Sequence, residues 1–305
     1  MAGLEFNRIE ISDRERVLEY LKRSGFSGCE YTFGNNFVWR NIANIEIAFE
    51  EGLYFCKQNT GDETMFLYPA GDGKVRRAIE LLSEYCSQNG LPLKLSANKE
   101  IADKIRAEFP DAVITPNRDF FDYVYLAEDL ENLTGKKYHG KRNHLNRFYE
   151  NDWSFEPLTS ENIPECAETN RRWREENVDK CDYSEEDSEA ESKLDELCIV
   201  ECSLKHYGEL GYTGGVLRVN GEVQAFTFGE PVGEDCFVVH VEKALKTYQG
   251  AYTAVNREFV KSLGGRFKYI NREDDTGSEG LRKAKLSYHP VFMEEKFVIT
   301  FGGKL

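Results

Sequence analysis

The sequence predicts an α/β (α+β) protein of two tandem domains, each a mixed β-sheet flanked by helices. Three observations carry that expectation. The chain has 305 residues, enough for two domains of roughly 150 residues each. Hydrophobic residues make up 40% and aromatic residues 13%, which supplies real cores and excludes wholesale disorder. Above all, one order of elements can be read twice along the chain.

The first reading opens with β-like runs at 45–49 and 53–57, joined through Glu51-Gly52, and a third strand at 65–68. Val75, Ala78, Ile79, Leu82 and Tyr85 then keep the spacing of an amphipathic helix. A short strand at 91–95, a helix carrying Ile101, Ile105 and Phe109, and a strand at 121–126 complete it. The second reading begins near Tyr212. Asn220-Gly221, a two-residue hairpin signal, separates runs at 216–219 and 222–228. A strand at 237–242 follows, then a helix face of Tyr252, Val255, Phe259, Val260 and Leu263. A strand at 267–270, a helix at 278–286 and an alternating run at 292–300 close the chain. Both readings spell hairpin, strand, helix, strand, helix, strand, which points to a structural duplication. Helices at 135–149, 161–174 and roughly 186–207 lie between them. The expected division is therefore 1–130 for an N-terminal domain that braces its neighbour, and 131–305 for a C-terminal domain carrying the site, with 131–207 as linking helices.

Composition narrows the function. A net charge of −15 argues against DNA and against a general coating of nucleic acid or anionic membrane. No apolar run approaches the roughly 18 to 20 residues that span a bilayer, and the N-terminal residues do not read as a secretory signal. The eight cysteines contain no Cys-x-x-Cys, so reduced thiols in a cytoplasm are expected. Cys198, Cys202 and His206 recur on one helix face, where packing is the better reading than a metal site; no metal is expected. The stretch 175–196 holds eleven acids against Lys180 and Lys193 and reads as a solvated loop and helix start.

Three segments carry chemistry. At Thr247-Tyr248-Gln249-Gly250-Ala251-Tyr252 a strand hands over to a helix whose first N–H groups lack partners, a place that suits a phosphate, with a plain tightly packed helix start as the alternative. The densest run is 269–290, which leaves a strand end, turns at Gly277 and enters a helix, where open α/β sheets place ligands. Lys285 falls on the same stripe as Leu281, Ala284 and Tyr288, so a carboxylate is expected beside it, from Asp274, Asp275 or Glu242. Asn271, Arg272 and His289 complete this cleft. Third, Lys136 to Arg147 holds five Lys and Arg residues and two histidines with no acid. On a helix after Thr134, Lys137, Lys141 and His144 would line one face, a set of donors for phosphates.

At these residues the chain resembles the phosphatidylglycerol lysyltransferase C-terminal domain family. Gly135-Lys136-Lys137-Tyr138-His139-Gly140-Lys141-Arg142-Asn143 and the later run from Asn271 through Lys285 carry the likeness, which extends over nearly the whole chain. The resemblance implies a tandem of two GNAT-type acyltransferase folds and the transfer of an aminoacyl group from a charged transfer RNA, or of an acyl group from acyl-coenzyme A, to a small-molecule or lipid acceptor. Pyrophosphate would sit at Gln249-Gly250-Ala251, and no cofactor would be tightly bound. On this reading Asp274 or Asp275 orients or deprotonates the acceptor, Arg282 and Lys285 steady an oxyanion or phosphate, and Lys137, Lys141 and Arg142 hold the donor's phosphates. A non-catalytic module sensing a nucleotide, coenzyme A or charged RNA through the same pocket is the second expectation.

Overall fold

A computed structural model of the chain describes residues 3–177 and 188–302, with side chains outside 188–194. The chain opens with strand β1 (Asn7–Arg8) and helices α1 (Arg14–Ser24) and α2 (Phe33–Trp39). Strands β2 (Glu46–Glu50), β3 (Leu53–Thr60), β4 (Glu63–Leu67) and β5 (Ala70–Gly71) come next. Helix α3 (Val75–Asn89), strand β6 (Lys94–Asn98), helix α4 (Lys99–Glu108) and strand β7 (Val113–Pro116) follow. Asn98 starts α4 by accepting the Ile101 N–H at 3.0 Å on its side chain, so strand passes into helix without a loop.

The middle of the chain holds β8 (Asp122–Leu126), α5 (Ala127–Asn132), α6 (His139–Phe148), β9 (Trp153–Pro157), α7 (Ile163–Asn177), α8 (Ser188–Lys205) and α9 (Tyr207–Leu210). Strands β10 (Thr213–Val219), β11 (Glu222–Val232) and β12 (Cys236–Ala244) form a meander, with Asn220 and Gly221 at positive φ in the first turn. Helix α10 (Ala251–Ser262), strand β13 (Tyr269–Asn271), helix α11 (Glu279–Leu286) and strands β14 (Phe292–Glu294) and β15 (Lys296–Thr300) close the chain.

The strands form two mixed sheets flanked by helices. One has the order β1-β2-β3-β4-β6-β15-β7, with β5 beside β3; the other, β9-β10-β11-β12-β13-β8-β14. The two orders match place by place. In each, one neighbouring pair is parallel, β4 with β6 and β12 with β13, and the other pairs along the path are antiparallel.

The sixth place corrects the expected division. In the first sheet it is filled by β15, from the far end of the chain, and in the second by β8, from the first half. A cut at residue 130 therefore crosses both sheets. The run 292–300, read from sequence as one strand, passes from one sheet into the other at Glu295. One residue cannot close a hairpin, since the tightest common connection needs two, so β15 cannot fold back beside β14.

Three cores result. Helices α3 and α4 cover the first sheet through Ile79, Leu82 and Ile105, against Phe55, Phe66 and Ile299. Helices α5, α6 and α10 cover the second through Leu130, Phe148 and Phe259. Between the sheets a shared core joins Phe33, Phe37 and Tyr54 to Val200, Leu204, Phe226 and Phe228. Each such fully buried side chain contributes about 1.5–3 kcal/mol of transfer free energy, so the halves are held by apolar packing as well as by exchanged strands.

Candidate functional site

The second sheet opens at its parallel pair. Strands β12 and β13 are in register from Cys236↔Tyr269 to Val238↔Asn271, after which β12 runs on to Ala244. The other chain turns away along β8: the Arg272 N–H donates to the Tyr123 carbonyl at 3.0 Å, and the Tyr123 N–H to the Glu273 carbonyl at 3.0 Å. At the parting point β12 bulges at His240, because Phe228 pairs with Val241 and Gly229 with Val239. Gly229 is required there, since a Cβ would lie 1.8 Å from the Val238 carbonyl oxygen.

Five consecutive side chains, from Asn271 at the last paired position onward, reach five different partners. Asn271 Nδ2 donates to Asp122 at 2.9 Å, and Arg272 Nη2 to Glu242 Oε1 at 2.7 Å. Glu273 meets His240 Nδ1 at 2.7 Å, and Asp274 accepts the Thr276 N–H at 3.1 Å. Asp275, wholly buried, accepts two hydrogen bonds from Arg282 at 2.9 and 2.8 Å, one from the Tyr123 hydroxyl, and the Gly277 N–H at 3.0 Å. Glu273 and Thr276 hold left-handed φ values of 56° and 47°, a strain of about 1–3 kcal/mol each that persists because so many contacts define the loop.

The environment gives these groups different proton affinities. Burial opposes ionisation of Asp275, yet the hydrogen bonds from Arg282, Tyr123 and Gly277 outweigh it and hold the carboxyl at about 2. Burial dominates at Asp274, only partly offset by Lys296, and raises it to about 7. His240 lies between Glu273 and Glu230, the latter at 3.0 Å from Nε2. Desolvation would lower it, but the two carboxylates raise it to about 9, so it is an imidazolium at neutral pH.

Several expected residues have different work. Lys285 is buried, but its ammonium donates to the carbonyls of Arg272 (2.6 Å) and Asp274, not to a carboxylate. Main-chain oxygens satisfy an ammonium as well, and the chain already curls around it. Arg282 spans Asp275 and Asp119, the latter at 2.7 Å, so both carboxylates are neutralised by a residue expected to steady an oxyanion. Glu242 is held by Arg272 and by Asn256 Nδ2 at 2.9 Å.

The basic array does not converge. Residues 136–138 form a 3-10 turn and α6 begins only at His139, which breaks the expected continuous helix. Lys137 pairs with Asp129 at 3.0 Å, and Arg142 caps the carbonyls of Leu133 and Gly135, the latter at 2.7 Å. Lys141 turns inward over the Tyr288 ring, 3.6 Å from its centroid. His289 packs edge-on against Tyr138 and approaches the Lys137 carbonyl. At the helix start, Ala251 is buried and Gln249 accepts from Arg147 at 2.9 Å. Gly250, at φ 94°, lets α6 approach: a Cβ would lie 2.2 Å from the His144 carbonyl oxygen. Tight packing explains this glycine. The Tyr252 hydroxyl accepts from Trp173 Nε1 at 2.8 Å.

Sequence reasoning missed a second cluster where the halves meet. Lys296, on β15, reaches Asp122 at 2.6 Å, Glu30 at 2.8 Å and Cys29 Sγ at 3.3 Å. Cys29, Glu30 and Asp122 are, among the described residues, the one group of potential ligands close enough for a metal ion, and the Lys296 ammonium already lies among them. A signal existed: Asp122, His240 and Lys296 are each charged or titratable residues inside apolar β-runs, where a partner is obligatory. The helix face with Cys198, Cys202 and His206 is used otherwise, since His206 pairs with Glu209 at 2.7 Å and packs on Phe37. Residues 178–187 of the acidic stretch lie outside the described residues. No helix among those described is long and apolar enough to cross a membrane.

A crystal structure of a conserved protein of unknown function from Bacteroides thetaiotaomicron VPI-5482 is 33% identical, covers 98% of this chain and 100% of that one, and superposes with a TM-score of 0.91. The structure of L-PGS from Bacillus licheniformis matches at 15% identity over 95% of this chain and 92% of that one, with a TM-score of 0.65. A tandem GNAT protein from the clavulanic acid biosynthesis pathway matches at 9% identity over 99% of both chains, with a TM-score of 0.50. These last two likenesses establish the fold, a tandem of GNAT-like units. An uncharacterized protein of Mycoplasmoides gallisepticum is 23% identical over 181 residues, which are 58% of this chain and 55% of that one. The family described as phosphatidylglycerol lysyltransferase, C-terminal, matches residues 21–300, and the chain belongs to that family.

Proposed function

We propose that the chain is an acyltransferase that moves an aminoacyl or other acyl group to an amine or hydroxyl acceptor. The observation that carries this reading is the parting of β12 from β13. It opens a sheet at the ends of two parallel strands, where α/β folds receive ligands, and lines the opening with the loop 271–275. Of the two aspartates, Asp274 suits proton transfer. It is half-buried and titrates near 7, whereas Asp275 is pinned as an anion by Arg282. The acceptor's nitrogen or oxygen attacks the acyl carbonyl and its proton passes to the Asp274 carboxylate. The bond from the carbonyl carbon to the donor's sulfur or ribose oxygen then breaks, and Asp274 returns the proton to that leaving atom. Arg282 and Lys285 act on the loop's shape rather than on the reacting atoms.

The family's name makes lysyl-tRNA and phosphatidylglycerol the first donor and acceptor to test, with acyl-coenzyme A and small amines alongside. The cysteine spacing, with no Cys-x-x-Cys, fits a reducing compartment such as the cytoplasm. In an assay with labelled donors, Asp274→Asn should lower transfer by about 100-fold without changing the melting temperature. Wild-type rates in that variant would remove Asp274 from the mechanism.

One observation favours a second reading, a binding module without turnover: Arg272, Arg282 and Lys285 are each already engaged within the chain. Saturable donor binding with no product from any acceptor would select it.

A further inference from the structure

Two cations meet at the ring of Tyr288. The Lys141 ammonium lies 3.6 Å from its centroid and the Arg272 guanidinium 4.7 Å. They come from unrelated elements, α6 and the loop after β13, so the meeting is tertiary. The carboxylate at hand is Glu242, and it is already occupied: Arg272 Nη2 holds one oxygen at 2.7 Å and Asn256 Nδ2 the other at 2.9 Å. Lys141 makes no ion pair or hydrogen bond among the described residues. Arg272 Nη1 is buried and has no acceptor. Asn256 Oδ1, on the amide that donates to Glu242, likewise lacks a donor. A half-buried ammonium beside a second cation, with an unused guanidinium N–H, is an incomplete electrostatic arrangement.

We propose that Lys141 and Arg272 form an anion subsite over the Tyr288 ring that takes an oxyanion of the substrate, a phosphate ester or a carboxylate. The oxyanion accepts from Arg272 Nη1 and from the Lys141 ammonium, which completes the charge balance, while the negative face of the Tyr288 ring helps to hold the cations. Lys141 is partly exposed on α6, so the anion enters from that side. The lowered proton affinity of Lys141, to about 8 through burial and the nearby Arg272, is the mark of a cation still without its counter-ion. This subsite does not depend on turnover; a protein that binds without transferring would need it equally.

The test is competitive labelling of lysines on the full chain by trace acetic anhydride at pH 8, read by mass spectrometry. Saturating inorganic phosphate or acetate, compared with chloride at equal ionic strength, should lower labelling of Lys141 about fivefold, because pairing raises its proton affinity by about one unit. Labelling of the exposed Lys136 should not change. Whichever anion acts at lower concentration identifies a phosphate ester or a carboxylate as the natural group. In parallel, the anion should raise the melting temperature of the wild type and of Lys136→Met but not of Lys141→Met. Unchanged Lys141 labelling with both anions, or a Lys141→Met protein that keeps the full thermal response, overturns the proposal. Because neither readout requires product, its failure is separable from failure of the acyltransferase reading.

Discussion

The two sheets share one strand order but treat the end of their parallel pair differently. In the first, β6 passes straight into α4, with Asn98 capping the helix, and the nearby hollow of about 360 Å³ is lined by residues such as Tyr68, Asn98 and Lys99. In the second, β13 ends at Asn271 and seven residues, Arg272 to Ser278, intervene before α11. Those residues carry two strained φ values and a separate partner for nearly every side chain. The lesson is that one architecture supplies two frames, and that a short charged insertion turns one of them into a candidate site.

Three perturbations would sharpen or break this contrast. The largest effect belongs to the strand exchange. Lys296→Met leaves Asp122 and Glu30 buried without their cation and should cost about 3–5 kcal/mol in denaturant titrations. Because β8 and β15 cross between sheets, both halves should still unfold in one transition. Two separate transitions would show that exchange does not couple them.

His240 comes next. Its folded value of about 9 lies above the roughly 6.5 of an unfolded histidine, so its contribution is complete below about pH 6.5 and fades as pH rises through 9. His240→Gln should lose about 1–3 kcal/mol at pH 6 and much less near pH 9.5. A wild-type midpoint that is flat across this range would contradict a charged imidazole between Glu230 and Glu273.

The last contrast, which includes the smallest effect, separates two glycines. Gly250→Ala meets the His144 carbonyl and should destabilise by about 1–3 kcal/mol, whereas Gly280→Ala, with open space around it on α11, should be neutral or stabilise by up to about 1 kcal/mol. Equal outcomes would undo the assignment of Gly250 to close packing against α6.

Much of the fold was legible because periodicity reports local burial. The strands at 53–57 and 237–242, the Asn220-Gly221 turn and the amphipathic helix from Val75 lie where their spacing placed them. The helix expected from Gly135 failed at its start because a glycine at φ 84° and a 3-10 turn precede α6, a backbone detail that spacing does not encode. At the site, the importance of 271–285 was readable from charge density, but the partners were not. Lys285 looked in need of a carboxylate and found carbonyls instead, since sequence shows which groups must be satisfied and not what will satisfy them.

By itself, the sequence determined two α/β units, their order of elements and the segment rich in chemistry, because hydrophobic period and composition are local properties. Only the tertiary structure decided that β8 and β15 trade sheets, that Lys296 lies between Asp122 and Glu30, and that Lys141 shares a tyrosine ring with Arg272. Strand pairing and charge pairing both depend on which distant residues arrive at the same place, and β-propensity carries no address.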